Sequence, residues 1–123
     1  MAQSAAKKSG RTGASQVIFD RTHLAQYTMD SPDLEREIVG LFMAQLPAIL
    51  ERLLNVSSRA DWRMATHTLK GSALAVGACR IGEFAKKLEP VDGLEESEKR
   101  KKLLSGLVHA IDEFDEMVRQ LYP

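Results

Sequence analysis

The C-terminal part of the chain carries an apolar repeat that fits a helix. Apolar side chains recur there at alternating spacings of three and four residues: Leu104, Leu107, Ile111, Phe114, Val118 and Leu121. Because an α-helix has 3.6 residues per turn, this spacing places all six on one stripe. Comparable stripes recur in earlier segments, and no segment has the strict alternation of a half-buried strand. The pattern predicts an all-α chain.

Breaks and capping residues divide the preceding chain into further helices. A short first helix is predicted from Asp20 to about Met29, with Asp20 as its N-cap. Residues 30–33, Asp-Ser-Pro-Asp, then offer capping side chains and a proline at a helix start. The second helix carries an apolar stripe, interrupted by polar Gln45, that consists of Leu34, Ile38, Leu41, Phe42, Ile49, Leu53 and Val56. Pro47 inside it is expected to bend the helix.

Two more helices precede the C-terminal one. The third is capped by Ser58 or Asp61 and runs to about Gly77. The fourth runs from about Arg80 to Glu89, with apolar residues at Ile81, Phe84, Ala85 and Leu88. Four longer helices with short connections predict an antiparallel four-helix bundle with an additional short N-terminal helix. Residues 17–123 are assigned to this domain, and residues 1–16, rich in Ser, Ala, Gly and Lys, to a flexible tail.

Composition excludes several classes of function. The 123 residues include 17 basic and 17 acidic side chains, so no overall positive field favours nucleic acid or anionic lipid. No apolar run approaches the length of a membrane span, and the N-terminus lacks the apolar segment of a secretory signal. Cys79 is the single cysteine, and His23 and His109 lie on other elements without zinc-site spacing. We therefore expect a cytoplasmic, single-domain protein without a metal or other cofactor of its own.

The third helix carries a histidine beside a cation and a glycine. Helical geometry places His67, Lys70 and Gly71 on one face, together with Arg63, Met64 and Leu74. The opposite face carries a plausible core stripe: Trp62, Ala65, Leu69, Ser72 and Val76. His67 is therefore predicted to point away from the core.

The chemistry of this strip suits transfer of a phosphoryl group. A neutral imidazole is nucleophilic at physiological pH, and a lysine one turn away can offset phosphoryl charge. Gly71 leaves room for a partner, and Met64 and Leu74 would form an exposed apolar patch beside it. Each residue also has a simpler explanation: Lys70 can solubilise a face, Met64 can be partly core, and Gly71 can serve close helix packing.

The sequence His-Thr-Leu-Lys-Gly-Ser-Ala at residues 67–73, followed by Gly77-Ala78, resembles the signature of histidine-containing phosphotransfer (HPt) domains of bacterial phosphorelays. The resemblance extends from about residue 19 to 121. It implies a bundle that carries phosphoryl groups between aspartates of receiver domains. His67 matches the phosphorylated residue, Lys70 its cationic neighbour and Gly71 the small residue that gives access.

Glu89 falls where members of this family often place a Gln or Glu that orients the histidine from the next helix. An ionised Glu near phosphohistidine would be repulsive, and the simpler explanation is a surface residue paired with Lys86. Arg63, Met64, Leu74 and Lys86 are expected to contact the partner, a receiver domain of a response regulator or hybrid kinase. The Mg²⁺ of the reaction is expected on that receiver.

Two other functions remain open from the sequence. The first is a helical adaptor that docks on a receiver or kinase and regulates it without accepting phosphate. The second is the dimerisation and phosphoacceptor module of a sensor kinase, in which an acidic residue usually follows the histidine, whereas Thr68 follows here. The chain lacks the glycine-rich loop of an ATP site, so we expect a monomeric phosphocarrier without ATP-dependent kinase activity.

Overall fold

A computed structural model describes residues 17–123, and the predicted tail at residues 1–16 lies outside the described residues. The described chain is all-helical, with five helices and no strand. They are α1 (Arg21–Thr28), α2 (Pro32–Leu54), α3 (Arg59–Val76), α4 (Cys79–Leu88) and α5 (Glu98–Leu121). Helix α3 packs against α2 and α4, α4 packs against α5, and α1 packs against α2 and α3. The all-helical prediction is confirmed.

The helices begin where capping side chains predict. Asp20 accepts a hydrogen bond from the backbone N–H of His23, and Ser31 accepts one from that of Leu34. Of the two candidate caps for α3, Ser58 takes the position and accepts from the N–H of Asp61. These bonds satisfy backbone donors that have no partner within the first turn of a helix.

Gly77 ends α3 in a left-handed conformation, with φ +85°. Its carbonyl accepts a hydrogen bond from the backbone N–H of Asp20 at 2.7 Å. A Cβ at Gly77 would collide with the Asp20 carbonyl, so both the backbone conformation and the close approach favour glycine. This contact fixes the start of α1 against the end of α3.

The apolar stripe predicted for α2 is wrong at three positions, one of which, Val56, lies beyond the end of the helix at Leu54. Leu34 and Leu41 are exposed, Leu41 to 60%, whereas Val39 and Leu46 are buried beside Phe42. The apolar residues of α2 fit two overlapping faces, and the packing of the other helices selects between them. Helix α2 also continues through Pro47 to Leu54, and the bend expected there stays a prediction.

Glu35 is a buried acid that links three distant parts of the chain. It is 4% exposed and lies in the first turn of α2. Its Oε1 accepts hydrogen bonds from Arg21 Nη2 at 2.9 Å and from the Tyr122 hydroxyl at 3.0 Å. The hydrogen bond from Arg21 lowers the pKa of the Glu35 carboxyl, although burial opposes the effect. The cluster fastens α1 and the C-terminus to the start of α2.

We expect Glu35→Gln to lower the free energy of unfolding by about 1–3 kcal/mol at neutral pH. Because the pKa of Glu35 is lowered in the folded state, its stabilisation is complete above the ordinary carboxyl pKa. It is lost as the pH falls through the folded-state value. Urea unfolding at pH 7 and at acid pH measures the difference, with Glu37→Gln, an exposed acid on the same helix, as control. A deficit that persists at acid pH would contradict this assignment.

Candidate functional site

His67 lies in the middle of α3, on the face turned away from the core. Its side chain is 71% exposed. Arg63 is also exposed, and so are the apolar side chains of Met64, to 63%, and Leu74, to 53%. The prediction that His67 points away from the core is confirmed, and Met64 is not a core residue. Of the predicted core stripe of α3, Ser72 is only partly buried, and Ala73 beside it is fully buried.

Gly71 has open space where its side chain would be. A Cβ built there meets no heavy atom of residues 17–123 within 4 Å outside its own helix. By contrast, a Cβ at Gly93 would collide with the Trp62 ring, and one at Gly106 with the Phe84 ring. Close packing therefore explains the glycines at 93 and 106 and does not explain Gly71. What Gly71 provides is an uncovered backbone one turn from His67.

Glu89 reaches the histidine because Trp62 ties the end of α4 to α3. The indole N–H of Trp62 is buried and donates to the carbonyl of Leu88 at 3.0 Å. Leu88 is the last residue of α4, and Glu89 follows it as the C-cap. The Glu89 side chain therefore lies beside the exposed face of α3.

The Glu89 carboxylate contacts both functional candidates of α3. Its Oε1 accepts a hydrogen bond from Lys70 Nζ at 2.9 Å, and its Oε2 lies 3.4 Å from His67 Nδ1. The hydrogen bond from Lys70 lowers the pKa of Glu89, and the contact with His67 adds to the effect. Glu89 is therefore ionised at neutral pH.

This contact distinguishes the two ring nitrogens of His67. An ionised carboxylate can only accept a hydrogen bond, so Nδ1 must carry the proton that it donates to Glu89. In neutral imidazole, Nε2 then holds the free electron pair. The arrangement leaves Nε2 as the nucleophilic atom of this side chain.

Lys86 stands apart from this pair. It is exposed on α4, and within residues 17–123 the ion pairs of Glu89 are to Lys70 and His67. The simpler explanation of Glu89 as a partner of Lys86 is therefore wrong. Lys86 as a partner-contacting residue stays a prediction.

A groove continues the exposed strip towards α1. It has a volume of about 520 Å³ and runs from Gly71, Leu74 and Ala75 of α3 to Asp20 and His23 at the start of α1. On the other side of α3, exposed Leu41 of α2 lines a shallow depression shared with Ser72 and Ala75. Sequence reasoning missed Leu41 because its helical spacing assigned it to the core.

Residues 17–123 contain neither a metal-ligand cluster nor a helix that could span a membrane. Residues 17–123 hold no cluster of three or more His, Cys, Asp or Glu side chains that could bind a metal ion. His23 lines the groove beside α1, whereas His109 contacts Glu113 on α5. None of the five helices combines the length and the apolarity that a bilayer crossing requires.

We expect neutral His67 to adopt the Nδ1–H tautomer in the unphosphorylated protein. Free imidazole of histidine favours the proton on Nε2, and the carboxylate of Glu89 at 3.4 Å reverses that preference. Long-range ¹H–¹⁵N correlation spectra distinguish the two tautomers. Glu89→Ala should restore the ordinary preference. A proton on Nε2 of His67 in the wild-type protein would contradict the assignment.

Comparison with known proteins identifies one family. The sequence model of the Hpt domain matches residues 37–121, so that α1 and the start of α2 precede the match. Comparisons with curated proteins and with solved structures gave no match. Since the family model covers more than half of the chain and spans the exposed histidine of α3, the chain belongs to the Hpt domain family, whose members have a histidine phosphotransfer role in phosphorelays.

Proposed function

We propose that this protein relays phosphoryl groups between aspartates of receiver domains, with His67 as the covalent carrier. The observation that carries the proposal is the exposed imidazole of His67, whose Nδ1 is engaged by Glu89 while Nε2 remains free for attack. A nucleophilic histidine needs one ring nitrogen that donates a hydrogen bond to a fixed acceptor and a second ring nitrogen that is open to solvent. Membership of the Hpt domain family supports the same role.

The proposed reaction exchanges one bond to phosphorus for another. The electron pair of Nε2 attacks the phosphorus of a receiver's aspartyl phosphate, and the P–O bond breaks as the aspartate carboxylate leaves. In the second half-reaction, the carboxylate of another receiver attacks phosphorus and Nε2 recovers its electron pair. Mg²⁺ bound by the receiver neutralises charge on the phosphoryl oxygens. His67 supplies the nucleophile, and Lys70 supplies a local cation.

The proposed docking surface consists of Met64, Gly71, Leu74 and Ala75 of α3 and Leu41 of α2. Its apolar members are exposed: Met64 and Leu74 share the His67 face of α3, and Leu41 lines a depression shared with Ala75. An exposed apolar patch of this kind is typical of a protein interaction site. Arg63 and Lys86 are proposed to contribute charged contacts at its margin.

We also propose that α2 to α5 form an antiparallel four-helix bundle. The ion pair of Arg52 with Asp61 joins the end of α2 to the start of α3. The hydrogen bond of Trp62 to Leu88 joins the start of α3 to the end of α4. Both contacts support antiparallel neighbours. We further propose that the protein is monomeric and cytoplasmic, because the receivers of a phosphorelay must reach His67 from solution.

Labelling by receiver domains tests the proposed function. The protein is incubated with Mg²⁺ and a panel of prephosphorylated receivers, and acid-labile, alkali-stable label is expected on the wild type. His67→Gln should take no label, because the other histidine beside a carboxylate, His109, contacts Glu113 through Nε2, the nitrogen that His67 leaves open. Label that survives His67→Gln, or no label from any receiver, contradicts the proposal. A His67→Gln protein that still restores signalling would instead support the regulatory adaptor.

Gly71→Leu tests whether the open backbone serves the partner. Since no atom of the described residues occupies the space beside Gly71, the variant should fold with wild-type or higher stability. Leucine favours the helix by up to about 1 kcal/mol relative to glycine. Phosphotransfer from a receiver should fall at least tenfold, which we measure as an initial rate.

Gly40→Leu is the matched control for this variant. Gly40 lies inside α2, and a Cβ there also meets no atom of the described chain within 4 Å. It is expected to keep the wild-type rate. Equal rates for both variants would show that Gly71 has no role in access.

A further inference from the structure

The Glu89 carboxylate engages the groups that would otherwise stabilise a phosphoryl group on His67. Lys70 Nζ lies 2.9 Å from Glu89 Oε1, and both side chains are about three-quarters buried, at 27% and 29% exposure. His67 is far more exposed than this pair. The lysine that the proposed function uses as a counter-charge is therefore already bound to an acid.

We propose, on the basis of that function, that Glu89 raises the phosphoryl-transfer potential of His67. The phosphohistidine then donates its phosphoryl group readily instead of retaining it. Two physical effects act in this direction. The first is electrostatic and operates through Lys70, and the second operates through the proton on Nδ1.

The electrostatic effect follows from the charges at the site. Lys70 and Glu89 cancel, so the site has little net charge to offer a phosphoryl group that brings close to two negative charges. To pair with that group, Lys70 must leave Glu89 or be shared with it. The ionised carboxylate also repels the phosphoryl oxygens across the ring. Both consequences raise the free energy of the phosphorylated state.

The second effect concerns the leaving group. When phosphorus leaves Nε2, the electron pair of the N–P bond returns to that nitrogen. If Nδ1 keeps its proton, the departing group is neutral imidazole, whereas without that proton it is the far more basic imidazolate. Glu89 accepts the Nδ1 hydrogen bond at 3.4 Å and so holds a proton on that nitrogen. The N–P bond is therefore easier to break.

The test measures how long the phosphohistidine survives and where the phosphoryl group lies at equilibrium. Phosphoramidate is the chemical donor: its P–N bond breaks, ammonia leaves, and the Nε2–P bond forms. After the donor is removed, the half-life of the label on His67 is followed in the full chain, with the label on His109 and His23 measured separately. A receiver that labels the wild type is then added, and the ratio of phosphohistidine to aspartyl phosphate is measured.

Glu89→Gln should lengthen the half-life and raise that ratio by roughly two- to fivefold, the range that loss of one partly exposed ion pair allows. Lys70→Ala should change both quantities in the opposite direction, because the phosphoryl group then faces Glu89 without a cation. Circular dichroism verifies that the variants are folded.

Glu113→Gln is the matched control. It removes the same charge from a carboxylate that pairs with Arg80, both residues being 28% exposed, and that also contacts a second exposed histidine, His109. Arg80 lies near the opposite end of α4 from Glu89, about 13 Å away along the helix axis. This distance exceeds the screening length in physiological salt, so the charge removed is not expected to act on the Glu89 site. Both quantities should remain at wild-type values.

The outcomes separate this proposal from the proposed function. If no receiver labels the wild type, the relay function fails, whereas the half-lives after phosphoramidate still test Glu89. If Glu89→Gln slows transfer in both directions and leaves the half-life and the ratio unchanged, Glu89 only orients the ring and the proposal is wrong. A shortened half-life in Glu89→Gln, or a lengthened one in Lys70→Ala, would also overturn it.

Discussion

The site depends on the buried hydrogen bond from the Trp62 indole to the carbonyl of Leu88. It fixes the register of α4 against α3 one residue before Glu89. Gly93 has no side chain that could displace the indole, and Arg100 lies over the ring at 5.9 Å from its centroid. A buried indole N–H needs a partner, so the register that satisfies it is strongly favoured. A different register would move Glu89 away from His67, and the exposed strip would then hold an ordinary surface histidine.

The local features of the chain could be predicted because local interactions determine them. Asp20, Ser31 and Ser58 cap their helices through bonds that span three residues. The position of His67 opposite Trp62 also follows from 3.6-residue periodicity. Glu89 could be placed near His67 only by resemblance to a family, since 22 residues separate the two and the distance depends on how α3 and α4 pack.

The features that the sequence mispredicted or left undecided share one physical cause, which is the packing of distant segments. Leu41 satisfies the apolar spacing of α2 and is exposed, because the neighbours of that helix select a different face. The burial of Glu35 was not predicted at all, because its partners Arg21 and Tyr122, the latter 87 residues away, come together only in the folded chain. Gly71 fitted either close packing or access in the sequence, and only the empty space beside it decides between them.

The central claim is that Glu89 holds Nδ1 and leaves Nε2 of His67 to carry the phosphoryl group. The most direct test is a ¹H–¹⁵N and ³¹P NMR spectrum of the phosphorylated, ¹⁵N-labelled protein, in which phosphorus–nitrogen coupling identifies the bonded atom. The account predicts one phosphoramidate signal, coupled to Nε2 of His67, with Nδ1 still protonated beside Glu89. Phosphorus bonded to Nδ1 of His67, or to His23 or His109, would contradict it.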